Sequence, residues 1–393
     1  MTQRAHVPLR ATPWDASDVA AAIEEIIADA LAHFDPEKFW PSHPLDDVTD
    51  GHSSIYIGAA GVIWALEYLS RIGATKARFD FRPALGRLLK RTEAEMAAYG
   101  EYSAHGSLLM GDLGTALLIM RLAPAPDIGE IVHARINANM QLPVRELMWG
   151  MAGSMLACIA MAEITGKPRW RAIFQSQAQR LLGDLLDTAD GPIWIQDLYG
   201  AEQKYLGAVH GFAGNMIPLV RGWLWLTDSQ RDRIADAVAR TLSINAWRSR
   251  LGASWPSALT GDKPPFLCQY CHGAPGMVTT FADAPFTSPA LEQILLEGGK
   301  LTWASGPLAK GSSLCHGTGG NGYALLKLYR RTSDPTWLAR ARRFAMTAIA
   351  QCREARDEIG RGRYSLWTGD VGLAVYLWDC LTAAPRLPIV DVF

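Results

Sequence analysis

The sequence has little charge and no recognisable targeting segment. Only 20% of its 393 residues are charged, and 38 Lys and Arg against 39 Asp and Glu leave a net charge of −1. Without a basic stripe, the chain is not expected to bind nucleic acid. The N-terminus has no apolar stretch, and charge or proline interrupts the longer apolar runs. We therefore expect a cytoplasmic protein with no membrane span.

Cysteines and strand patterns are also scarce. Six cysteines are too few for a disulfide scaffold, so clustered ones point to a metal or catalytic site. Cys158 and Cys380 lie in apolar helical runs and are expected to pack in the core. Few stretches alternate with a period of two, although short hairpins in the connections are compatible with the sequence. An apolar fraction of 49% predicts a folded protein with a large core.

A Gly-x-x-Gly pattern, followed directly by an apolar helical run, recurs roughly every forty to sixty residues. The seven copies begin at Gly58, Gly111, Gly150, Gly211, Gly273, Gly317 and Gly369. Segments with one polar face precede most copies, for example at 18–34, 170–186, 228–247 and 335–352. Helices buried on most sides thus alternate with helices that have one solvent-exposed face. Because no polar capping repeat is evident, the pattern predicts an all-α fold, a seven-fold α/α toroid.

The closed ring predicts one domain over residues 1–393. Residues 1–53 would form an N-terminal segment and the first outer helix, and 54–393 the remaining repeats. The polar, proline-containing stretch at 41–53 is either a cover over the ring or a loop. Glycine permits positive φ and close chain approach, so it lets seven helix starts crowd around one axis. The loops before these helices should therefore line one end of the ring.

Three copies carry a histidine directly before the first glycine. These are His210, His272 and His316, and two of them follow a cysteine, Cys271 and Cys315. Equivalent positions in successive repeats should lie around the same rim, so we expect these side chains to be near one another. Deprotonated cysteine and histidine are the ligands that zinc prefers.

Cys271, Cys315 and His316 can converge from two helix starts, which predicts a zinc with one open position, as in catalytic sites. Two thiolate ligands make the metal a weak Lewis acid for water and suit it to holding a substrate thiol as thiolate. An alternative remains open at this stage. Cys268 forms Cys-x-x-Cys with Cys271 and would complete a closed, structural site.

His210 and His272 are candidates for proton transfer, because imidazole titrates near neutral pH. Each could instead be a buried histidine bonded to a carbonyl group. Glu146, four residues before Gly150, could reach the same rim as an acid or as a partner that orients a histidine. It could also be a first-turn residue that favours the helix dipole.

The motifs at 210–214, 271–276 and 315–321, in full His-Gly-Phe-Ala-Gly, Cys-His-Gly-Ala-Pro-Gly and Cys-His-Gly-Thr-Gly-Gly-Asn, resemble those of the lanthionine synthetase C-like proteins. The resemblance covers nearly the whole chain. It implies a seven-fold α/α toroid, one zinc per chain, and thiol addition to dehydroalanine or dehydrobutyrine. His272 stands where the peptide-cyclising branch usually has Tyr, so the chain is similar to the stand-alone branch also found in eukaryotes.

The resemblance also implies roles for individual residues. Cys271, Cys315 and His316 would hold the zinc, and His210 matches the family's essential histidine. Members that bind glutathione use a lysine five residues before the second cysteine, which matches Lys310.

Two further basic contacts are implied for glutathione. Arg4 matches an N-terminal arginine of the family, and the third contact, before the last repeat, is Arg363 or alternatively Arg361. Such a cationic cluster would bind the two carboxylates of glutathione. Each residue alone could equally be a solvated surface charge.

Three functions follow as hypotheses. The first is zinc-dependent addition of a thiol, glutathione above all, to dehydroamino acids in a peptide or protein, giving a thioether. The second is a lanthipeptide cyclase, in which the attacking thiol belongs to the same peptide. The third is a glutathione-binding sensor or scaffold without catalysis. The absence of a fused dehydratase and the histidine at 272 favour the first over the second.

Overall fold

A computed structural model describes residues 5–46, 51–98, 106–198, 200–259 and 267–393. Within these ranges, fourteen α-helices alternate along the chain between an inner and an outer ring, joined by loops and three short hairpins. None of the helices found there is long and apolar enough to cross a membrane. The helical content agrees with the weak strand patterns of the sequence.

The inner helices are buried along nearly their whole length. They are α2 (Ala59–Arg71), α4 (Asp112–Leu122), α6 (Met151–Thr165), α8 (Phe212–Arg221), α10 (Ala274–Phe281), α12 (Thr318–Thr332) and α14 (Asp370–Thr382). Each one begins directly after the first glycine of a Gly-x-x-Gly motif, which is its N-cap residue. The predicted helix starts are therefore confirmed at all seven copies.

The outer helices have one exposed face. They are α1 (Ala16–Ala32), α3 (Leu85–Ala98), α5 (Pro126–Asn139), α7 (Arg169–Gly183), α9 (Asp228–Asn245), α11 (Pro289–Ser305) and α13 (Pro335–Ile359). Side chains cap several of them. Thr227 and Gln230 form a reciprocal capping box on α9, and Ser288 caps α11. These caps satisfy N–H groups that the first helical turn leaves unpaired.

The inner ring closes on itself. Each inner helix contacts the next inner helix along the chain, and the last one, α14, contacts the first, α2. The first outer helix, α1, packs against α14 as well, so the start and the end of the chain meet. These contacts confirm the predicted α/α toroid.

Three antiparallel hairpins connect helices on one side of the ring. They are β1 (Leu186–Thr188) with β2 (Gly191–Ile193), β3 (Gln196–Leu198) with β4 (Ala201–Gln203), and β5 (Trp247–Ser249) with β6 (Gly252–Ser254). Two tryptophans anchor them to the preceding outer helices. The indole N–H of Trp194 donates to the Leu181 carbonyl at 2.7 Å, and that of Trp255 to the Leu242 carbonyl at 3.0 Å.

Backbone hydrogen bonds tie the loops before the inner helices into a rim. The residue two positions before the N-cap glycine makes these bonds. The Cys271 N–H donates to the Cys315 carbonyl at 3.1 Å, and the Cys315 N–H to the Trp367 carbonyl at 2.8 Å. The Trp367 N–H continues to the Tyr56 carbonyl at 3.1 Å, and the Tyr56 N–H to the Leu109 carbonyl at 2.9 Å. This rim fixes the relative positions of side chains that come from different repeats.

The other end of the inner ring is closed by the last described residues. Arg121 and Arg221, which lie at the C-terminal ends of α4 and α8, donate to the carbonyl oxygens of Phe393 and Asp391 at 2.6 and 2.5 Å. Lys327 of α12 is 1% exposed and pairs with the Asp391 carboxylate. These residues pack across the end of the inner ring opposite the rim formed by the helix N-termini.

Close packing, more than backbone angle, accounts for the paired glycines. Among the seven N-cap glycines only Gly273 has a positive φ, at 105°. A Cβ on the second glycine of each pair would crowd the carbonyl oxygen six residues earlier, as at Gly320 with Leu314 and at Gly276 with Tyr270. Glycine at this position lets each rim loop fold back over the first turn of its helix.

We expect Gly320→Ala to destabilise the protein by about 3 kcal/mol or more, because the added methyl group would overlap the backbone of Leu314. Gly86→Ala is the matched control. Gly86 lies in the exposed part of α3, and a Cβ there meets no atom within 4 Å, so this change should stabilise by roughly 0.5 to 1 kcal/mol. Thermal and denaturant unfolding measure both, and equal stability of Gly320→Ala and the parent would contradict the packing argument.

Candidate metal centre and proton-transfer pair

The structure brings Cys271, Cys315 and His316 together at the rim. One ligand atom from each lies within 4.8 Å of the others. Cys271 and Cys315 are 6% and 3% exposed, while His316 is half-buried. Both sulfurs come from the residue two positions before an N-cap glycine, and the bond between their backbones aligns the two loops. Two thiols and an imidazole at this separation form a donor set that fits zinc.

The two thiols interact strongly. The Cys315 thiol donates a hydrogen bond to the Cys271 sulfur, which holds the pKa of Cys271 well below its usual range despite burial. The resulting bond to Cys271, together with burial and the negative charge, raises the pKa of Cys315 well above its usual range. The pair therefore favours one negative charge. A divalent cation bound between them would allow both sulfurs to ionise.

Each sulfur also has a neutral partner from a neighbouring side chain. The Gln269 amide N–H donates to the Cys271 sulfur at 3.0 Å. The Tyr56 hydroxyl is the hydrogen-bond partner of the Cys315 sulfur, and burial first, then the charge and the bond of Cys315, raise the pKa of Tyr56. Tyr56 also stacks on Trp367 with ring centroids 6.1 Å apart. Each cysteine sulfur therefore has a hydrogen-bond partner besides the other cysteine.

His210 and Glu146 form a hydrogen-bonded pair beside this cluster. The Nδ1 atom of His210 lies 2.9 Å from the Oε2 atom of Glu146, whose side chain is fully buried. The Glu146 carboxylate also accepts backbone N–H groups at the start of α6, from Met148 at 2.9 Å, from Trp149, and from Gly150 at 3.0 Å. Anchored in this way at a helix N-terminus, the carboxylate fixes the imidazole and leaves Nε2 available to a ligand.

The Glu146 contact also determines the charge of His210. Burial alone would lower the pKa of His210, but the hydrogen bond and the charge of Glu146, with a smaller contribution from Cys271, raise it above its ordinary value. A raised pKa favours the protonated imidazole near neutral pH. The arrangement is typical of a histidine that donates a proton.

His272 lies next to His210 on the same rim. Their ring centroids are 6.3 Å apart at an angle of 27°. Burial lowers the pKa of His272, and the positive charges of His210 and Lys310 add to this effect, while the negative charge of Cys271 opposes it. Its Nδ1 atom is buried and has no hydrogen-bond partner among the described residues. Neither histidine is therefore held by a carbonyl group at Nδ1.

The predicted basic contacts are distributed over the rim. Lys310 is exposed, and its ammonium group donates to the Gln269 side-chain oxygen at 3.4 Å. Arg363 forms an ion pair with Asp46 at 2.6 Å. Arg4 lies outside the described residues, but the Ala5 carbonyl accepts the Ala309 N–H at 3.0 Å. The segment that follows Arg4 thus pairs with the residues that precede Lys310.

Arg361, like Arg363, bonds to the segment at residues 41–46. It donates to the Ser42 carbonyl at 2.8 Å, so both arginines fasten residues 41–46 to the last repeat. Residues 47–50 of the predicted cover lie outside the described residues. The choice between Arg361 and Arg363 as a ligand contact stays a prediction, because each has a protein partner here.

Cys268 does not join the cluster. Its thiol contacts Ser305 and Thr302, and burial, only partly offset by those bonds, raises its pKa to about 11. The group of possible ligands in the described residues contains three side chains without it. The geometry thus favours the open, three-ligand arrangement over a closed Cys-x-x-Cys site.

Two residues at the cluster were not predicted from the sequence. Tyr56 occupies, in the first repeat, the position two before the N-cap glycine that Cys271 and Cys315 hold in theirs. That alignment could have identified it. Gln269 stands within the same short motif as Cys271, but no spacing rule marks a glutamine as a partner of sulfur.

Residues 42–392 match the family model for lanthionine synthetase C-like protein. Over 195 residues the chain is 31% identical to "Glutathione S-transferase LANCL1" of Danio rerio, a match that covers 49% of this chain and 47% of that protein. It is 32% identical over 184 residues to "LanC-like protein GCL1" of Arabidopsis thaliana, covering 44% and 40%. The chain thus spans about half the length of the curated relatives that it matches.

Among solved structures, the fold is similar to that of nisin cyclase. The TM-score is 0.57 at 13% identity, and the match covers 93% of this chain and 99% of the other. At this identity the likeness concerns the fold alone. The likeness extends over nearly the whole length of both proteins.

Proposed function

Since the chain belongs to the lanthionine synthetase C-like family, we propose that it is an enzyme that adds a thiol, glutathione above all, to dehydroalanine or dehydrobutyrine residues in a peptide or protein. The product is a thioether. The observation that carries this proposal is the juxtaposition, on one rim, of a three-donor cluster of Cys271, Cys315 and His316 with the His210–Glu146 pair.

The proposed cofactor is one zinc ion per chain, which Cys271, Cys315 and His316 would hold. When bound, zinc would supply a Lewis acid that keeps a substrate thiol ionised at neutral pH while leaving its sulfur nucleophilic. Three protein donors leave room for that thiol. The bond from Tyr56 keeps the Cys315 sulfur oriented while the substrate enters.

The proposed reaction has two steps, addition of the thiol to the double bond and protonation of the α-carbon. The thiol loses its proton, its sulfur forms a bond to the β-carbon of the dehydro residue, and the electron pair of the double bond moves toward the α-carbon and its carbonyl group. The α-carbon then has to receive a proton. His210 is assigned this step, because Glu146 fixes its ring and favours the protonated imidazole. His272 is assigned to the same proton path, because its ring lies 6.3 Å from that of His210.

Glutathione is proposed as the thiol for two reasons. The zebrafish relative carries the name glutathione S-transferase, although the match covers 47% of its length. In addition, Lys310 is exposed beside the cluster, with Arg361 and Arg363 on the adjoining repeat. Two carboxylates of a tripeptide thiol could be bound by such basic side chains. Arg4 is proposed as a further contact on the basis of the family resemblance.

Mass spectrometry tests the proposal directly. The zinc-loaded protein is incubated with glutathione and a peptide that contains dehydroalanine, and in parallel with a peptide that carries both dehydroalanine and a cysteine. We expect a gain of one glutathione on the first peptide, above the rate without protein. Ring closure of the second peptide without glutathione addition to the first would instead indicate a cyclase. Glutathione binding without either product would indicate a sensor or scaffold.

Lys310→Met should raise KM for glutathione by about 3- to 10-fold, because a charge-assisted hydrogen bond to a carboxylate is lost. With 2-mercaptoethanol, a neutral thiol that has no carboxylate, the same change should leave KM nearly constant. Lys300→Met removes another exposed lysine, on α11, and serves as the matched control. Steady-state kinetics with both thiols test this contact, and equal effects on 2-mercaptoethanol and glutathione would exclude Lys310 as a carboxylate contact.

A further inference from the structure

Gln269 makes a contact that the proposed reaction does not use. Its side-chain N–H donates to the Cys271 sulfur at 3.0 Å, and its side-chain oxygen accepts the Lys310 ammonium at 3.4 Å. Gln269 is only 6% exposed. The amide group is therefore held at both ends, in surroundings where few water molecules compete for its hydrogen bonds.

The backbone places this amide beside the sulfur. The Gln269 N–H donates to the His272 carbonyl at 3.1 Å, and the His272 N–H donates back to the Gln269 carbonyl at 3.1 Å. These reciprocal bonds close a tight turn that contains Cys271. Since the Cys271 sulfur and the Gln269 amide belong to the same turn, the backbone of that turn fixes their relative position.

Such a bond has two effects on a metal ligand. It restricts the direction in which the sulfur lone pairs point, and it withdraws electron density from the sulfur, so a metal receives less charge from it. The positive charge of Lys310 on the amide oxygen strengthens the N–H donor at the other end. A metal bound to two thiolates retains more Lewis acidity when one of them is hydrogen-bonded in this way.

We propose that Gln269 is a positioning residue of the metal centre, which directs the Cys271 sulfur toward the metal and limits the charge that this sulfur donates. The inference rests on the proposed function, because it assumes that Cys271 is a ligand. It assigns to Gln269 a role that neither the motif spacing nor the comparisons indicate.

Gln269→Met tests this role, because methionine has a similar length but no N–H donor. We expect the dissociation constant for zinc, measured by chelator competition, to rise by about 10- to 100-fold, because the loss of sulfur orientation outweighs the extra charge that the freed sulfur donates. In the cobalt(II)-loaded protein, the sulfur-to-metal charge-transfer band should move to longer wavelength, because a sulfur without its hydrogen bond holds its electrons less tightly. The absorption band responds to the sulfur itself, and a purely structural role would not move it.

The matched control is Gln177→Met. Gln177 is fully buried and accepts a hydrogen bond from the Cys158 thiol at 3.5 Å, far along the chain from the cluster. This change should leave both metal measurements as in the parent. Gln269→Asn, which draws the amide back by one methylene, provides a second variant should Gln269→Met fail to fold.

Folded Gln269 variants with an unchanged zinc dissociation constant and an unchanged cobalt band would overturn the role of Gln269 and leave the proposed function standing. A parent protein that binds neither zinc nor cobalt would overturn the metal centre itself. The two failures are therefore distinguishable in one set of titrations, without reference to catalytic activity.

Discussion

Cys315→Ala is expected to weaken zinc binding by more than about 100-fold and to abolish thioether formation. Cys315 is one of the three donors in the cluster found among the described residues, and alanine has no atom that can take the place of its sulfur. Loss of a direct ligand should exceed the effect of losing an outer hydrogen bond, which typically reaches 100-fold. Metal analysis after dialysis and chelator competition measure the affinity, and adduct formation measures the activity.

Cys352→Ala is the matched control for that experiment. Cys352 is also 3% exposed, but it lies in α13 and its thiol interacts with Asp370, away from the cluster. Its replacement should cost some stability and leave the zinc content at one per chain. Retention of zinc and activity by Cys315→Ala would exclude the proposed ligand set, whereas loss of zinc from both variants would indicate a general effect of removing buried cysteines.

His210→Ala is expected to lower the rate by about 10²- to 10⁴-fold while zinc stays bound, because a positioned acid contributes that much to proton transfer. The side chain is not part of the metal cluster, so its loss should separate metal binding from catalysis. Single-turnover rates and zinc content measured on the same sample show this directly. A rate within about threefold of the parent would remove His210 from the mechanism.

Glu146→Gln tests the pH dependence of the same pair. The pKa of His210 is raised, since the Glu146 bond and charge outweigh burial, so the imidazole stays protonated above its ordinary value of about 6.5. Activity that needs this proton should fall as the pH rises through the raised pKa, and Glu146→Gln should move that fall to lower pH. The pair's contribution to the free energy of unfolding should fall in the same direction as the activity. It is fully present below about pH 6.5 and is lost as the pH rises through the raised pKa of His210 in the folded protein. An alkaline limb that does not move would contradict the assignment.

Much of the toroid could be predicted because the repeated Gly-x-x-Gly motif marks both the helix starts and the inner helices. Each N-cap glycine, such as Gly317, marks a helix start within the chain's own pattern, and the apolar run after it marks an inner helix. The metal cluster could be predicted from the alignment of the repeats, because Cys271 and Cys315 hold equivalent positions in neighbouring repeats. What the pattern misses is the reason for the glycines, because the contact at Gly320 depends on a folded loop.

Contacts between distant residues could not be predicted in this way. The sequence predicts Glu146 near the rim, as an acid or as a partner of a histidine, but it does not identify His210, 64 positions away in the next repeat, as that partner. The pairing of Arg363 with Asp46 spans 317 positions, and it occupies a residue that the sequence predicts as a ligand contact. Three-residue strands such as β3 are too short to show an alternating pattern.

The configuration of the product at the α-carbon tests the central claim most directly. The zinc-loaded protein is given glutathione and a peptide that contains dehydroalanine, and the hydrolysed adduct is separated by chiral chromatography. If the rim holds the thiol while His210 delivers the proton from one side, the adduct should have a single configuration, and His210→Ala should give little adduct with that preference lost. Equal amounts of both configurations from the parent, formed at the rate seen without protein, would contradict the account.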